Sequence, residues 1–340
     1  MKRLKNKKIT RKRILTVTAV VLCILISLSI GAYMNYKIVL KEYFEASEAA
    51  YKIPDISKGF IPQGITYDET SGYFFLTGYM GNSKVSPIYV INNETDETER
   101  KILMRTHEGK NFRGHAGGIS VYDSKLYIAG STDACMYSFP IADILNTPDG
   151  GYLNADRRIE LKTDNDHIRV SFTSFEQDLL YAGEFHNDPI FQTDKSHNID
   201  TSDGVQKGLL FGFEVNENGE ALPVKAYSIP DNIQGACFYD HYVFLSCSDG
   251  LFPSKIYTFD LNQIPESGTH TFLEKDIPLY LLNPSAAVKE TKIPPMSEEI
   301  IVVDGKMYIL YESASNRYII GKWMDLDCVY ATPMEYFIQP

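Results

Sequence analysis

Beyond residue 57 short apolar runs alternate with clusters of Gly, Asp, Asn and Pro, the pattern of half-buried β-strands separated by turns. One unit recurs five times. A polar-plus-Gly motif leads into an apolar strand, a tight turn follows, and a second strand rich in Tyr or Phe breaks at small polar residues. The five starts are Pro62-Gln63-Gly64-Ile65, His115-Ala116-Gly117-Gly118-Ile119, His167-Ile168-Arg169-Val170, Ile233-Gln234-Gly235-Ala236 and Met296-Ser297-Glu298-Glu299-Ile300. Their second strands run from Tyr73 to Tyr79, Lys125 to Ser131, Leu179 to Glu184, Tyr242 to Ser248 and, after an Asp304-Gly305 turn, Met307 to Ser313. A third strand is expected at Ile88 to Ile91, Met136 to Phe139, Leu210 to Phe213, Ile256 to Phe259 and Tyr318-Ile319-Ile320. A less regular fourth segment follows, for example Arg100 to Leu103 or Ala226 to Ile229. Starts lie roughly 50 to 65 residues apart, the length of a four-stranded propeller blade with loops. A β-sandwich also repeats strands and turns, but it has no reason to repeat one motif at one phase five times. The expected fold is all-β, a β-propeller over 57–340 with five blades, six being the alternative.

The N-terminus follows a different pattern. Lys2, Arg3, Lys5, Lys7, Lys8, Arg11, Lys12 and Arg13 precede an uncharged, Leu/Ile/Val-rich stretch from Ile14 to Met34. As a helix that stretch reaches roughly 30 Å, enough to cross the hydrocarbon core. The cationic flank keeps the tail cytoplasmic and places the rest of the chain outside. The expected organisation is a basic tail at 1–13, a transmembrane helix at 14–34 and a helical stalk or linker at 35–56. Ser and Gly near Ala32 leave cleavage there as the alternative.

The chain carries a net charge of -11, eight cations lie in the first thirteen residues, and residues 14–340 therefore carry -19. Such a domain repels nucleic-acid phosphate, so nucleic-acid binding is excluded. Cys135, Cys237, Cys247 and Cys328 form no close-spaced framework. On hairpin register Cys237 faces Phe244 and Cys247 faces Gln234, which predicts thiols rather than a bridge.

In an up-and-down blade the loop entering the first strand and the loop leaving the second open on the same face. The polar ends of the repeats should therefore gather at one mouth of the channel. The candidates to bind a ligand there are Gln63, Tyr79, Ser131, Gln234, Ser248, Asp249, Ser297 and Ser313. For acid–base chemistry they are His115, His167, Glu184, His186, Glu298 and Glu312. Glu184, Glu298 and Glu312 are the candidates to hold a divalent cation such as Ca²⁺, since carboxylates suit hard cations. Gln63, Gln234 and His115 recur in the repeat and have an architectural reading as well. The interruption from His186 to Gln206 should sit over the mouth as a polar loop or lid.

The phrases Pro-Gln-Gly-Ile-Thr-Tyr, Gly-His-Ala-Gly-Gly-Ile and Ile-Gln-Gly-Ala-Cys-Phe resemble those of bacterial secreted or membrane-anchored β-propeller proteins over about residues 57–325. More distantly the chain is similar to strictosidine-synthase-like and regucalcin-like propellers. That resemblance implies a metal-dependent lactonase or esterase with a blade-start Glu beside a central Ca²⁺. Glu298 matches that Glu, while Glu299 stands where those proteins carry Gly, and matching Asn and Asp ligands are not evident.

Gly-x-Ser-x-Gly, His-Glu-x-x-His, phosphate-binding Gly loops and Cys-x-x-Cys do not occur. The sequence therefore supports an extracytoplasmic module that binds a ligand or protein through an acidic channel mouth. The alternative is a metal-dependent hydrolase or a lyase with its site there.

Overall fold

The computed structural model describes residues 15–339 except 25, 26, 28–30, 32, 35, 133, 164, 165, 217, 319, 320 and 325. Two units partition the chain, residues 1–45 and residues 46–340. In the first, residues 15–24 are helical with Leu15, Val17, Val20, Val21, Leu22 and Ile24 exposed. The basic tail and parts of the expected span lie outside the described residues. Among the described residues no helix is long and apolar enough to cross a membrane.

The second unit is a ring of five antiparallel sheets, so the five-bladed expectation holds. The innermost strands are Phe60–Asp68, Ala116–Tyr122, Val170–Glu176, Ile233–Tyr239 and Ser297–Val303, one per blade. Each pairs with the next strand through a tight hairpin. The turns take left-handed φ where two-residue hairpins need it, at Asp123 and Ser124, Gln177 and Asp178, and Asp304 and Gly305. Apolar faces of adjacent blades meet in continuous cores. Phe75, Ile88 and Ile102 of blade one pack with Ile119, Ile128 and Phe139 of blade two, and Phe74, Leu76 and Tyr89 join Leu310 and Val329 of blade five.

Three elements differ from the sequence reading. The helical pattern expected to run to Lys52 ends at Ala46, and Glu48–Lys52 is instead a strand. It pairs antiparallel with Cys328–Pro333 and supplies the outermost strand of blade five, closing the ring with chain from its other end. Pairing to an open sheet edge outweighs the helix propensity of Glu, Ala and Lys. The third strand of blade five is Cys328–Pro333, not Tyr318-Ile319-Ile320. Tyr318 lies in a loop, and Ile319 and Ile320 fall outside the described residues. The hairpin Glu266–Phe272 and Lys275–Leu281, lying within the sequence of blade four, crosses back to extend blade three.

Every inner strand is bulged near its start. The register shifts at Gln63, at Gly117 and Gly118, at Ser171, at Gln234, and at Glu298 and Glu299. A bulge re-aims a side chain that a regular pleat would point along the sheet normal. Here it decides what enters the channel.

Candidate functional site

Glu299 divides the channel. Its carboxylate accepts the backbone N–H of Ile65 at 2.8 Å and that of Ile119 at 2.8 Å and 3.0 Å, and it also takes a backbone hydrogen bond from Thr173. One side chain of blade five thus ties the inner strands of blades one, two and three. It has no solvent exposure. Burial pushes its carboxyl well above the usual range, and the N–H donors oppose that shift. The crowding explains two of the repeat glycines. A Cβ on Gly118 would lie 2.2 Å from Glu299 Oε1, and one on Gly235 would lie 2.6 Å from Glu299 Cα.

On one side of Glu299 opens a cavity of about 400 Å³, formed by the strand starts and the loops leaving the second strands. The structure brings together there Gln63, Tyr79, His115, Ser131, Gln234, Ser248, Asp249, Glu298 and Glu312. Four of the bulged positions, Gln63, Ser171, Gln234 and Glu298, face it. A second cavity, of about 320 Å³, lies at the other channel end between Thr66, Ser120, Phe175, Phe238 and Ile301.

The floor of the mouth is the pair Glu298 and Glu312. The two buried carboxyls hydrogen-bond to each other, a contact that needs one of them to keep its proton. Burial raises both. Glu298 is held well above the usual range by burial and by the charge of Glu312, and Glu312 is pushed up to about 7 by burial against hydrogen bonds from Tyr318 and Gln63. Gln63 Nε2 donates to Glu312 Oε2 at 3.2 Å, and Gln234 Nε2 approaches Glu298 Oε1 at 3.5 Å. The bulge glutamines from two other blades therefore orient the pair.

The wall holds the Tyr79 and His115 rings with centroids 4.2 Å apart. Burial, then the nearby Arg317 and Arg169, lower the His115 imidazole to about 4, so it is neutral at physiological pH. Burial lifts the Tyr79 phenol to about 12. Arg317 donates to the Tyr79 hydroxyl, and the loop leaving blade three's second strand adds Phe185, Asn187 and Phe191. The mouth therefore carries Arg169 and Arg317 beside the acids Asp249, Glu298 and Glu312.

Five expected site residues are not in this cavity. Glu184 is buried away from it, accepting the N–H of Arg169 at 3.0 Å and of Leu209 at 3.2 Å, and bonded to His197 Nδ1 at 2.8 Å. His197 Nε2 reaches Asp166 at 3.1 Å. Burial opposes a charged ring there, but Glu184 and Asp166 outweigh it and hold the imidazole at about 10. Glu184 departs from the repeat because it pins the 186–206 loop, which leaves it no free face for a metal or a proton transfer to substrate. His186 is buried against Thr193, 2.9 Å away, within that same loop. His167 lies on the surface, 3.5 Å from Asp194. Ser297 is fully buried against Ser246 at 2.8 Å, and Ser313 is fully buried as well. Among the described residues no group of three or more His, Cys, Asp or Glu is arranged to hold a metal ion.

Cys237 pairs with Phe244 as register predicts, whereas Cys247 faces Ile233 because the bulge at Gln234 moves the partner by one. Arg169, Arg317, Tyr318, Phe185, Asn187 and Phe191 are cavity residues that the sequence reading missed. Arg169 had a signal, since it stands just before the inner strand at the position that His115 holds in blade two, while Ser171 takes the place of Gln63 and Gln234.

No protein-family model matches this sequence, and neither does any curated protein. Among solved structures, the chain is similar to the PQQ-bound aldose sugar dehydrogenase of Streptomyces coelicolor, with 12% identity, 84% of this chain and 96% of that chain covered, and a TM-score of 0.47. It is also similar to the glutaminyl cyclase of Myxococcus xanthus, with 11% identity, 78% and 91% covered, and a TM-score of 0.42.

Proposed function

We propose that the propeller is a small-molecule-binding module whose ligand occupies the channel mouth. The observation that carries this reading is the floor of that cavity. Two buried carboxyls are held by amides from two other blades and open into a space of about 400 Å³, within the range of small-ligand pockets. Stability alone would favour apolar residues at those positions, because burying a carboxylate pair costs free energy. A fragment screen by ligand-observed NMR tests the reading. Fragments should bind the unmodified chain and be lost on Ser131→Trp, which fills the mouth. If every hit survives that change, or no fragment binds, the module does not work through this opening.

A second reading follows from the shared proton. A carboxyl and a carboxylate in contact, with Glu312 near 7, can give and take a proton at neutral pH, which is the requirement for general acid–base hydrolysis or elimination. This reading differs from the first in turnover. Glu298→Gln and Glu312→Gln would abolish product formation while leaving ligand affinity within a few fold. A divalent cation at the pair would have to displace the shared proton; a thermal shift with Ca²⁺ or Zn²⁺ that disappears on Glu312→Gln would assign a metal role, and no shift would remove it.

We further propose that the apolar N-terminal segment anchors the propeller outside a membrane, on the support of its length and cationic flank. Alkaline extraction should leave the chain with the membrane, and external protease should reach the propeller. Release by alkali would contradict the anchor.

A further inference from the structure

The mouth contains two guanidinium groups without a carboxylate in ion-pair contact, although Glu312 acts on Arg317 from further off. Arg169 enters from the start of blade three and Arg317 from the loop after blade five's second strand. Arg169 lies over the Phe191 ring at 5.0 Å, and Arg317 lies over Tyr79 at 5.5 Å and Tyr318 at 5.7 Å. Among the described residues neither comes within 4.0 Å of a carboxylate oxygen. Elsewhere in this acid-rich domain Lys101, Lys125, Lys255 and Arg158 each pair with Asp or Glu. Arg100, Arg105 and Arg113 also lack an ion-pair partner among the described residues, and what sets Arg169 and Arg317 apart is that both enter one cavity. Both act on His115, so both charges converge on the same wall.

We infer that the mouth binds a small organic anion, its carboxylate or phosphate oxygens held by Arg169 and Arg317 and its body against Tyr79, Phe185 and Phe191. This rests on the mouth being the ligand site and adds the ligand's class. Guanidinium forks suit both oxyanions. The acid pair below does not oppose such a ligand as two free carboxylates would. Its shared proton limits it to about one negative charge, and that proton is available to a ligand oxygen. Neutral His115 adds a hydrogen-bonding group without competing for the anion. A bound anion would offset the field of the two arginines and raise the His115 imidazole from its depressed value, a signature that a purely apolar ligand would not produce.

The test is an NMR binding series on the full chain with four probes of one shape: benzoate, phenyl phosphate, benzamide and benzylamine. At least one anion is expected to bind about tenfold or more tightly than benzamide and benzylamine, equivalent to about 1.4 kcal/mol. Whichever anion is preferred identifies the head group. Arg169→Gln and Arg317→Gln should each reduce that preference at least several fold, with Arg→Lys intermediate, and the His115 ring protons should titrate at higher pH with the anion bound. If benzamide or benzylamine binds as well as the anions and is lost on Ser131→Trp, the ligand site stands and its anionic class is overturned. Anion binding that survives Ser131→Trp or both Arg→Gln changes also overturns the proposal. Should no probe of any charge bind, the ligand-site reading falls with it. The charge series on the unmodified chain decides the question even if an arginine variant misfolds.

Discussion

Replacing Glu299 tests how the ring is held. In Glu299→Ala the N–H groups of Ile65 and Ile119 lose their acceptor, and so does the backbone of Thr173. A buried donor left without a partner costs about 1–3 kcal/mol. Three such donors would sum to roughly 3–9 kcal/mol, and water entering from the two flanking cavities would satisfy some of them. A net loss of about 3–6 kcal/mol is therefore expected, a large part of the roughly 5–15 kcal/mol that holds a typical domain. Glu299→Gln keeps one acceptor oxygen but turns an NH₂ toward the other donors, so it should lose about 2–4 kcal/mol. At about 2 °C per kcal/mol for a chain of this size, Tm should fall by roughly 6–12 °C for Ala and somewhat less for Gln. Differential scanning calorimetry at fixed pH reads this directly. If both variants melt within about 2 °C of the parent, Glu299 does not tie the blades, and the account of the repeat glycines fails with it.

The acid pair has a pH signature. Glu312 is raised on folding from 4.5 to about 7, so the folded state binds the extra proton and stability declines as pH rises through that interval, by up to about 3 kcal/mol. Urea midpoints measured from pH 4.5 to 8 should fall for the parent and flatten for Glu312→Gln; a parent curve that rises over that range would contradict the buried pair. His197 shifts stability in the same direction, over a higher interval. Its folded value near 10 stabilises the charged ring below about 6.5, and this contribution disappears as pH climbs toward 10. His197→Asn should therefore speed amide exchange across 186–206 several fold while leaving the inner strands unchanged; uniform exchange changes throughout the ring would show that the contact does not anchor the loop.

Much of this architecture could be read from the chain because it repeats. The five polar-plus-Gly starts, the hairpin turns and the Tyr- and Phe-rich second strands recur in phase, and closure into a ring then places Gln63, Tyr79, His115, Gln234, Glu298 and Glu312 around one opening. Where local pattern and tertiary demand disagreed, the sequence misled. Glu48–Lys52 has helix-favouring composition, yet only an open sheet edge about 280 residues away explains its strand pairing. Glu184 breaks the repeat as a catalytic group would, but what it serves is a buried histidine thirteen residues later. The sequence singles out Glu298 from its neighbour, and it does face the mouth, but the tie that Glu299 makes to three other inner strands depends on the bulge and had no signal in the chain. Arg317 and Tyr318 were hidden because β-rich residues after them resembled a strand.

If ligand enters by the mouth that these strand starts form, hydrogen exchange of the full chain with and without its best-binding fragment should place it there. Protection should concentrate at residues 62–64, 115–118, 169–171, 234–235 and 312–318. Protection centred on 66–67, 120–121, 174–176 and 237–238, at the far end of the channel, would contradict the account.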